Sequence, residues 1–274
     1  AKKYILMIKP SEHWTKHAAQ WQHVGEPLKP TSQDIALLQR LVQEWQAARE
    51  SSGLQALLLG VTPEIATMPW PAGTQLLAVD RCQEMVDGVW PGRSMPYANA
   101  QCADWLALPV ADSSRDLVVG DGCFTLLSYP DGYRALLRSV RRVLRDDGRF
   151  VMRFFVRPSK QEVLSQIFDD LLAGRIGNFH VFKWRLAMAL HGTIEEGVRL
   201  ADIWDAWHDA QIDVPALVTR LGWTPESVAT IDVYREIDAR YTFPTLDEIR
   251  SVVAGYFSEQ ACYVGDYELA ERCP

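Results

Sequence analysis

Four short stretches place glycine or charged residues directly after apolar runs. They are Gly60-Val61-Thr62-Pro63-Glu64, Asp80-Arg81, Asp104-Trp105 and Gly120-Asp121-Gly122. A glycine lets a ligand approach the backbone closely. A carboxylate accepts two or more hydrogen bonds, which suits a diol or an amine. A further group, His180, Lys183, Trp184 and Arg185, lies in the single stretch FHVFKWR. His180 and Trp184 are four apart, so on a helix they share a face and could wall a pocket. Asp121 is a second candidate base. Cys123 has no activating partner in the sequence and reads as a buried free thiol.

These residues need a scaffold that gathers them. QALLLG at 55–60, QLLAV at 75–79, YANAQC at 97–102, DLVVG at 116–120 and RFVMRFFV at 149–156 read as strands. Thr62-Pro63-Glu64 opens a helix, another runs to Val89 before Trp90-Pro91-Gly92, and an amphipathic helix spans 131–145. Strands alternating with helices imply βαβ units and a parallel sheet. Upstream, Trp14, His17, Ala18 and Trp21 recur at helical spacing. Thr31 or Ser32 caps a longer helix to about Arg49, ended by Ser51-Ser52-Gly53. After Pro158 the alternation stops. Residues 179–190 and 193–210 read as helices, and 245–256 as one more. Ala261–Val264 reads as a late strand. The fold expected is α/β: a Rossmann-like, mostly parallel sheet flanked by helices, with an N-terminal helical segment and a helical insertion after the fifth strand. The partition expected is 1–52 cover, 53–157 binding core, 158–240 insertion or lid, and 241–274 completion of the sheet. Seven of the ten tryptophans fall outside 53–157, which points to an aromatic-rich cover.

In open parallel sheets ligands sit at the carboxyl ends of the strands, where the four stretches fall. Asp80 follows Gly60 by twenty residues, the place of a carboxylate that accepts from both hydroxyls of a ribose. Two adenosine cofactors fit it, a dinucleotide and S-adenosylmethionine. A dinucleotide turn needs G-x-G-x-x-G around the pyrophosphate. Here the turn is G-V-T-P-E, with one glycine, a proline lacking an N–H and a glutamate that repels phosphate. A sulfonium ligand with an amino-acid tail suits this turn better. Asp104 is placed to accept from the amine of adenine, with Trp105 packing the ring.

Composition removes other classes. Lys+Arg 28 against Asp+Glu 35 gives a net charge of −7, so nucleic acid is not expected as a partner. The arginines of the 131–145 helix read as its solvated face. No run approaches the roughly 20 apolar residues that span a bilayer, and Ala1-Lys2-Lys3-Tyr4 begins no apolar signal region. Five scattered cysteines fit free thiols in a reducing cytoplasm. His13 and His17 are four apart, but E-H-x-x-x-H is not the H-E-x-x-H zinc pattern, and no metal site is expected.

LLLGVTPE, LLAVD, ADWLALPV, DLVVGDG and YRALLRSVRRVLRDDGRFVMRFF, in this order, resemble the class I S-adenosylmethionine-dependent methyltransferases. The resemblance implies a cofactor site of Gly60, Val61, Thr62, Glu64, Asp80, Arg81, Met85, Asp104, Trp105, Gly120, Asp121 and Gly122. The family carries an acidic residue two before the first glycine. Leu58 stands there, so Thr62 and Glu64 are expected to hold the methionine ammonium instead. FHVFKWRLAMAL and W-x-x-x-G-x-P-L-K-P (Trp21 to Pro30) further resemble a bacterial branch of unestablished substrate. Trp21, His180, Lys183, Trp184 and Arg185 are the expected acceptor-pocket residues. The function implied is methyl transfer to an O or N atom of a small acceptor. The alternatives are a nicotinamide-dinucleotide oxidoreductase, or a homologue that binds cofactor or a partner without turnover. The oligomeric state is not legible.

Overall fold

A computed structural model describes residues 12–49 and 53–274. The charged start at Ala1–Tyr4, the Ser51–Ser52 helix stop and the His13 side chain lie outside the described residues.

The helices are α1 (Glu12–Gln20), α2 (Ser32–Ala47), α3 (Pro63–Ala66), α4 (Gln83–Gly88), α5 (Asp131–Val143), α6 (Leu164–Leu172), α7 (Phe179–Ala189), α8 (Leu200–Asp209), α9 (Val214–Leu221), α10 (Pro225–Ala229) and α11 (Leu246–Val253). The sheet strands are β1 (Gln55–Leu59), β2 (Gln75–Asp80), β3 (Ala98–Cys102), β4 (Arg115–Asp121) and β5 (Leu144–Arg153). They are all parallel, in the order β3-β2-β1-β4-β5. The chain reverses direction across the sheet between β1 and β4, the position at which such sheets open a crevice. This is the Rossmann-like architecture expected.

Strand alternation assigns each face its cover. Ala56, Leu58, Leu76, Ala78, Leu117 and Val119 pack with Leu38 and Val42 of α2 and Met85 of α4. Leu57, Leu59, Val79 and Val118 pack with Leu136, Leu137 and Val140 of α5 and Ile249 of α11. Thr31 caps α2, and a reciprocal bond from its own N–H to Asp34 completes a capping box. Thr245 and Glu248 do the same for α11. The arginines of α5 lie away from its buried stripe, where Arg142 pairs with Asp112, and Arg145 at the start of β5 pairs with Asp116.

Three boundaries differ from the sequence reading. β5 begins at Leu144, not Arg149, because 145–148 form a bulge opposite Arg115–Leu117 instead of a separate turn. The helix read over 193–210 exists only from Leu200. Gly197 takes a left-handed φ of +63°, and Val198–Arg199 form a two-residue strand, β6, antiparallel to β7 (Arg240–Tyr241). Ala261–Val264 is not a strand. The edge beyond β5 is taken instead by the C-terminal residues, whose Arg272 and Pro274 carbonyls accept from the N–H groups of Val156 and Phe154.

α6 to α10 build a separate apolar core around Phe179, Phe182, Trp184, Trp207, Tyr234 and Phe243. It joins the sheet through Phe155, edge-on to Trp184 at 5.3 Å. Lys183 is fully buried within it. Its Nζ donates to Thr230 Oγ1 at 3.0 Å and lies 5.3 Å from the Tyr234 ring centre, with no carboxylate partner among the described residues. Burial lowers its pKa to about 7 from the ordinary 10.5.

At the open end of the sheet, Arg153 holds the N-terminal segment to the strands. Its Nε and Nη2 donate to Asp121 Oδ1 and Oδ2 at 2.6 and 3.1 Å. Nη1 donates to the Pro27 carbonyl at 2.9 Å and lies 3.4 Å from Asp34 Oδ2. Tyr267 donates to Asp34 Oδ1 at 2.9 Å, adding the C-terminal region.

Two predictions follow from these buried charges. Lys183 loses its proton on folding, so its drag on stability is absent above pH 10.5 and complete at about pH 7. Lys183→Met should raise the melting temperature at pH 7, with an upper bound of about 5 kcal/mol at 1.36 kcal/mol per unit. An equal rise at pH 7 and pH 10 would contradict this. Arg153→Met should destabilise the chain by about 3–5 kcal/mol, because Asp121 is left buried and unpaired. In denaturant titrations the Asp121→Asn/Arg153→Met double variant should recover part of that loss, and strict additivity would count against the pairing.

Candidate functional site

Parallel register lines up the carboxyl ends. Leu59 lies opposite Val79 and Gly120, Asp80 opposite Cys102, and Asp121 opposite Arg153. The turns that follow therefore share one rim.

Gly60 begins the first turn at φ +91°, a conformation that a side chain disfavours. A Cβ there would point toward Asp80 Oδ2, 3.8 Å away, into the space above that carboxylate. Val61 and Thr62 are buried, and Pro63 starts α3. Glu64 sits in the first turn of α3, and its Oε2 is buried without a hydrogen-bond partner. Asp80 accepts from the Cys82 N–H at 2.9 Å through Oδ1. Burial raises its pKa to about 6, against the lowering effect of that bond and of Arg81. Two carboxylates thus flank the Gly60 turn with acceptor capacity unused.

Trp105 is buried, and its Nε1 donates to the Val79 carbonyl at 2.6 Å. Arg81 lies over its ring at 5.3 Å. Asp104 is exposed beside it and accepts from the Leu106 N–H at 3.0 Å. Met85 is buried among the residues beneath β2. Gly122 takes φ +65°, and a Cβ there would come within 2.5 Å of the Phe155 ring. Asp121 is buried and held bidentately by Arg153. The charge and hydrogen bonds of Asp121 outweigh the burial that would lower the Arg153 pKa, and raise it. Cys123 is buried, and burial pushes its thiol pKa up.

The residues of FHVFKWR separate. His180 faces the N-terminal segment, and Trp184 packs on Phe155, Tyr241 and Phe243. His180 Nε2 lies 3.1 Å from the His23 carbonyl, which only accepts, so Nε2 carries the proton. Nδ1 is then a bare lone pair, buried and unpartnered. Burial, followed by the charge of Lys183, lowers the His180 pKa to about 3. Trp184 Nε1 is likewise buried without a partner, as is Nε1 of Trp21. Lys183 points away into the helical core. Arg185 is engaged by Glu162 and Asp170, at 2.6 and 2.7 Å, and Glu162 also binds Arg272.

The structure adds Lys29, Asp34, Arg153 and Tyr267 to the rim, none of them singled out from sequence. A charged residue inside the apolar strand RFVMRFFV was the available signal for Arg153, and the Lys29 position lay in the quoted W-x-x-x-G-x-P-L-K-P string. A cavity of about 490 Å³ lies between this N-terminal segment and the first turn. Gly25, Glu26, Lys29, Thr31, Ile35 and Glu64 are among its walls. Among the described residues no three His, Cys, Asp or Glu side chains gather as a metal site. No described helix is long and apolar enough to cross a membrane.

Residues 57–152 match the family described as "Methyltransferase domain". No curated protein matches the chain. A Rhodobacter sphaeroides structure, named as a candidate Zn-dependent alcohol dehydrogenase, superposes with a TM-score of 0.54 at 14% identity, covering 91% of this chain and 92% of its own. The PH0226 protein of Pyrococcus horikoshii gives 0.51 at 14% identity, covering 90% and 94%. At these identities the likeness is one of fold. A SAM dependent methyltransferase from Aquifex aeolicus gives 0.40 at 16%, covering 53% and 77%. The family match spans the stretch that carries Gly60, Asp80, Asp104 and Asp121, so residues 57–152 are similar to a methyltransferase domain.

Proposed function

We propose that this chain transfers the methyl group of S-adenosylmethionine to an oxygen or nitrogen atom of a small-molecule acceptor. The observation that carries the reading is the pair of under-used carboxylates, Asp80 and Glu64, on either side of the Gly60 turn. Asp80 takes the ribose hydroxyls and Glu64, with Thr62, takes the amino-acid ammonium. Asp104 and Trp105, with Arg81 and Met85, border the adenosine end, and Gly120 to Gly122 border the donor end. When bound, the cofactor supplies an activated methyl group, so the protein's work is positioning. His180, Trp184 and Trp21 line the acceptor side, and the bare Nδ1 of His180 orients an O–H or N–H there. Under this reading 1–52 cover the 53–157 core, 158–240 form the lid, and 241–274 complete the sheet edge. A bacterial cytoplasmic setting, without membrane or nucleic-acid partners, fits the free cysteines and acidic balance.

The test is calorimetry with S-adenosylhomocysteine and with NAD. Binding of the first and not the second is expected, and the reverse would sink the proposal. Because Asp80 must be ionised to accept from both hydroxyls, affinity for S-adenosylhomocysteine should fall roughly tenfold per unit below about pH 6. A flat profile from pH 5 to 8 would contradict this placement. The folded-state pKa lies above the unfolded one, so Asp80 favours folding at low pH and loses that contribution as pH rises through 6. Asp80→Asn should therefore raise the unfolding free energy at pH 7.5, by up to about 3 kcal/mol, while weakening cofactor binding. Loss of both stability and binding would assign Asp80 a structural role.

A further inference from the structure

The 490 Å³ cavity has opposite charges on its walls that do not meet. Lys29, Glu26 and Glu64 all line it, and among the described residues no ion pair within 4 Å joins Lys29 to either carboxylate. Glu64 Oε2 is buried without a hydrogen-bond partner. Lys29 has neither an ion pair within 4 Å nor a hydrogen bond among the described residues. Its Nζ is instead held 5.0 Å from the Trp21 ring centre. A half-buried lysine facing a glutamate across a gap would ordinarily close to a salt bridge. Here Trp21 steadies the ammonium and the gap stays open. The ligand that fits carries a cation toward Glu64 and an anion toward Lys29.

We infer that Lys29 is the counter-charge for the carboxylate of the cofactor's amino-acid tail, so that the N-terminal segment supplies half of a zwitterion clamp whose other half is Glu64. This rests on the cofactor reading above and extends it to a residue outside the methyltransferase domain. Lys29 lies on the segment whose Pro27 carbonyl is held by Arg153. Binding the tail thus fixes the same segment that walls the acceptor side, through His23 and His180. The partly lowered Lys29 pKa, set by burial and opposed by Glu64, agrees with an ammonium awaiting an anion.

Three ligands separate the charges: S-adenosylmethionine, decarboxylated S-adenosylmethionine, which keeps the ammonium, and 5′-methylthioadenosine, which lacks the whole tail. Each is titrated by calorimetry into the full chain and into Lys29→Met, Lys29→Arg and Glu64→Gln. Lys29→Met should weaken S-adenosylmethionine about tenfold or more, the usual worth of a charge-assisted hydrogen bond. It should leave the other two ligands within about twofold. Lys29→Arg should restore most of the loss. Glu64→Gln should weaken both ammonium-bearing ligands and spare methylthioadenosine. Unchanged S-adenosylmethionine binding by Lys29→Met overturns the inference while the cofactor reading stands, and equal weakening of all three ligands overturns it as general damage. A wild-type chain that binds none of the three overturns the cofactor reading and this inference with it.

Discussion

The guanidinium of Arg153 is the tie on which the open end of the sheet depends. It emerges from the last residue of β5 and meets Asp121 at the end of β4 with two hydrogen bonds. From there it reaches the Pro27 carbonyl and Asp34. Asp34 is also the carboxylate that completes the α2 capping box and the acceptor for Tyr267. Strand ends, N-terminal segment and C-terminal region therefore converge on one buried cation. A buried ion pair of this kind contributes little net stability, because desolvation offsets the attraction. What it supplies is position, since each carboxylate it leaves unpaired is costly.

That constraint shapes the chemistry available at the rim. Asp121 is fixed by Arg153 at the end of β4. Asp80 and Glu64 retain unused acceptor capacity. The helical part approaches the same rim through Phe155, whose ring fills the space that a side chain at position 122 would need. His180 reaches it by fixing its protonated Nε2 on the His23 carbonyl.

Much of this was legible in the sequence because it rests on local periodicity. Apolar runs ending in Gly60, Asp80 and Gly120 specify buried parallel strands, and the parallel register then brings their ends together. Capping of α2 by Thr31 was visible as a Ser/Thr preceding a helical stripe. Less was legible where long-range pairing decides. Ala261–Val264 has strand-like composition, yet the edge of β5 is occupied by residues 272–274, a competition that no local pattern records. Gly197 breaks an otherwise helical run because its backbone is left-handed. Lys183 and Arg185 sit beside His180 in sequence but turn to other faces, one into an apolar core and one to Glu162. Lys29 and Arg153 escaped notice since their partners lie on distant segments, the Arg153 nitrogen reaching Asp34 across 119 positions.

The most direct measurement is a crystal structure of the full chain with S-adenosylhomocysteine. The result expected is a ribose diol on Asp80, the amino-acid tail in the cavity beside Glu64, and Arg153 still bridging Asp121 and Asp34. A ligand bound away from the Gly60 turn, or a ribose that makes no contact with Asp80, would contradict the site described.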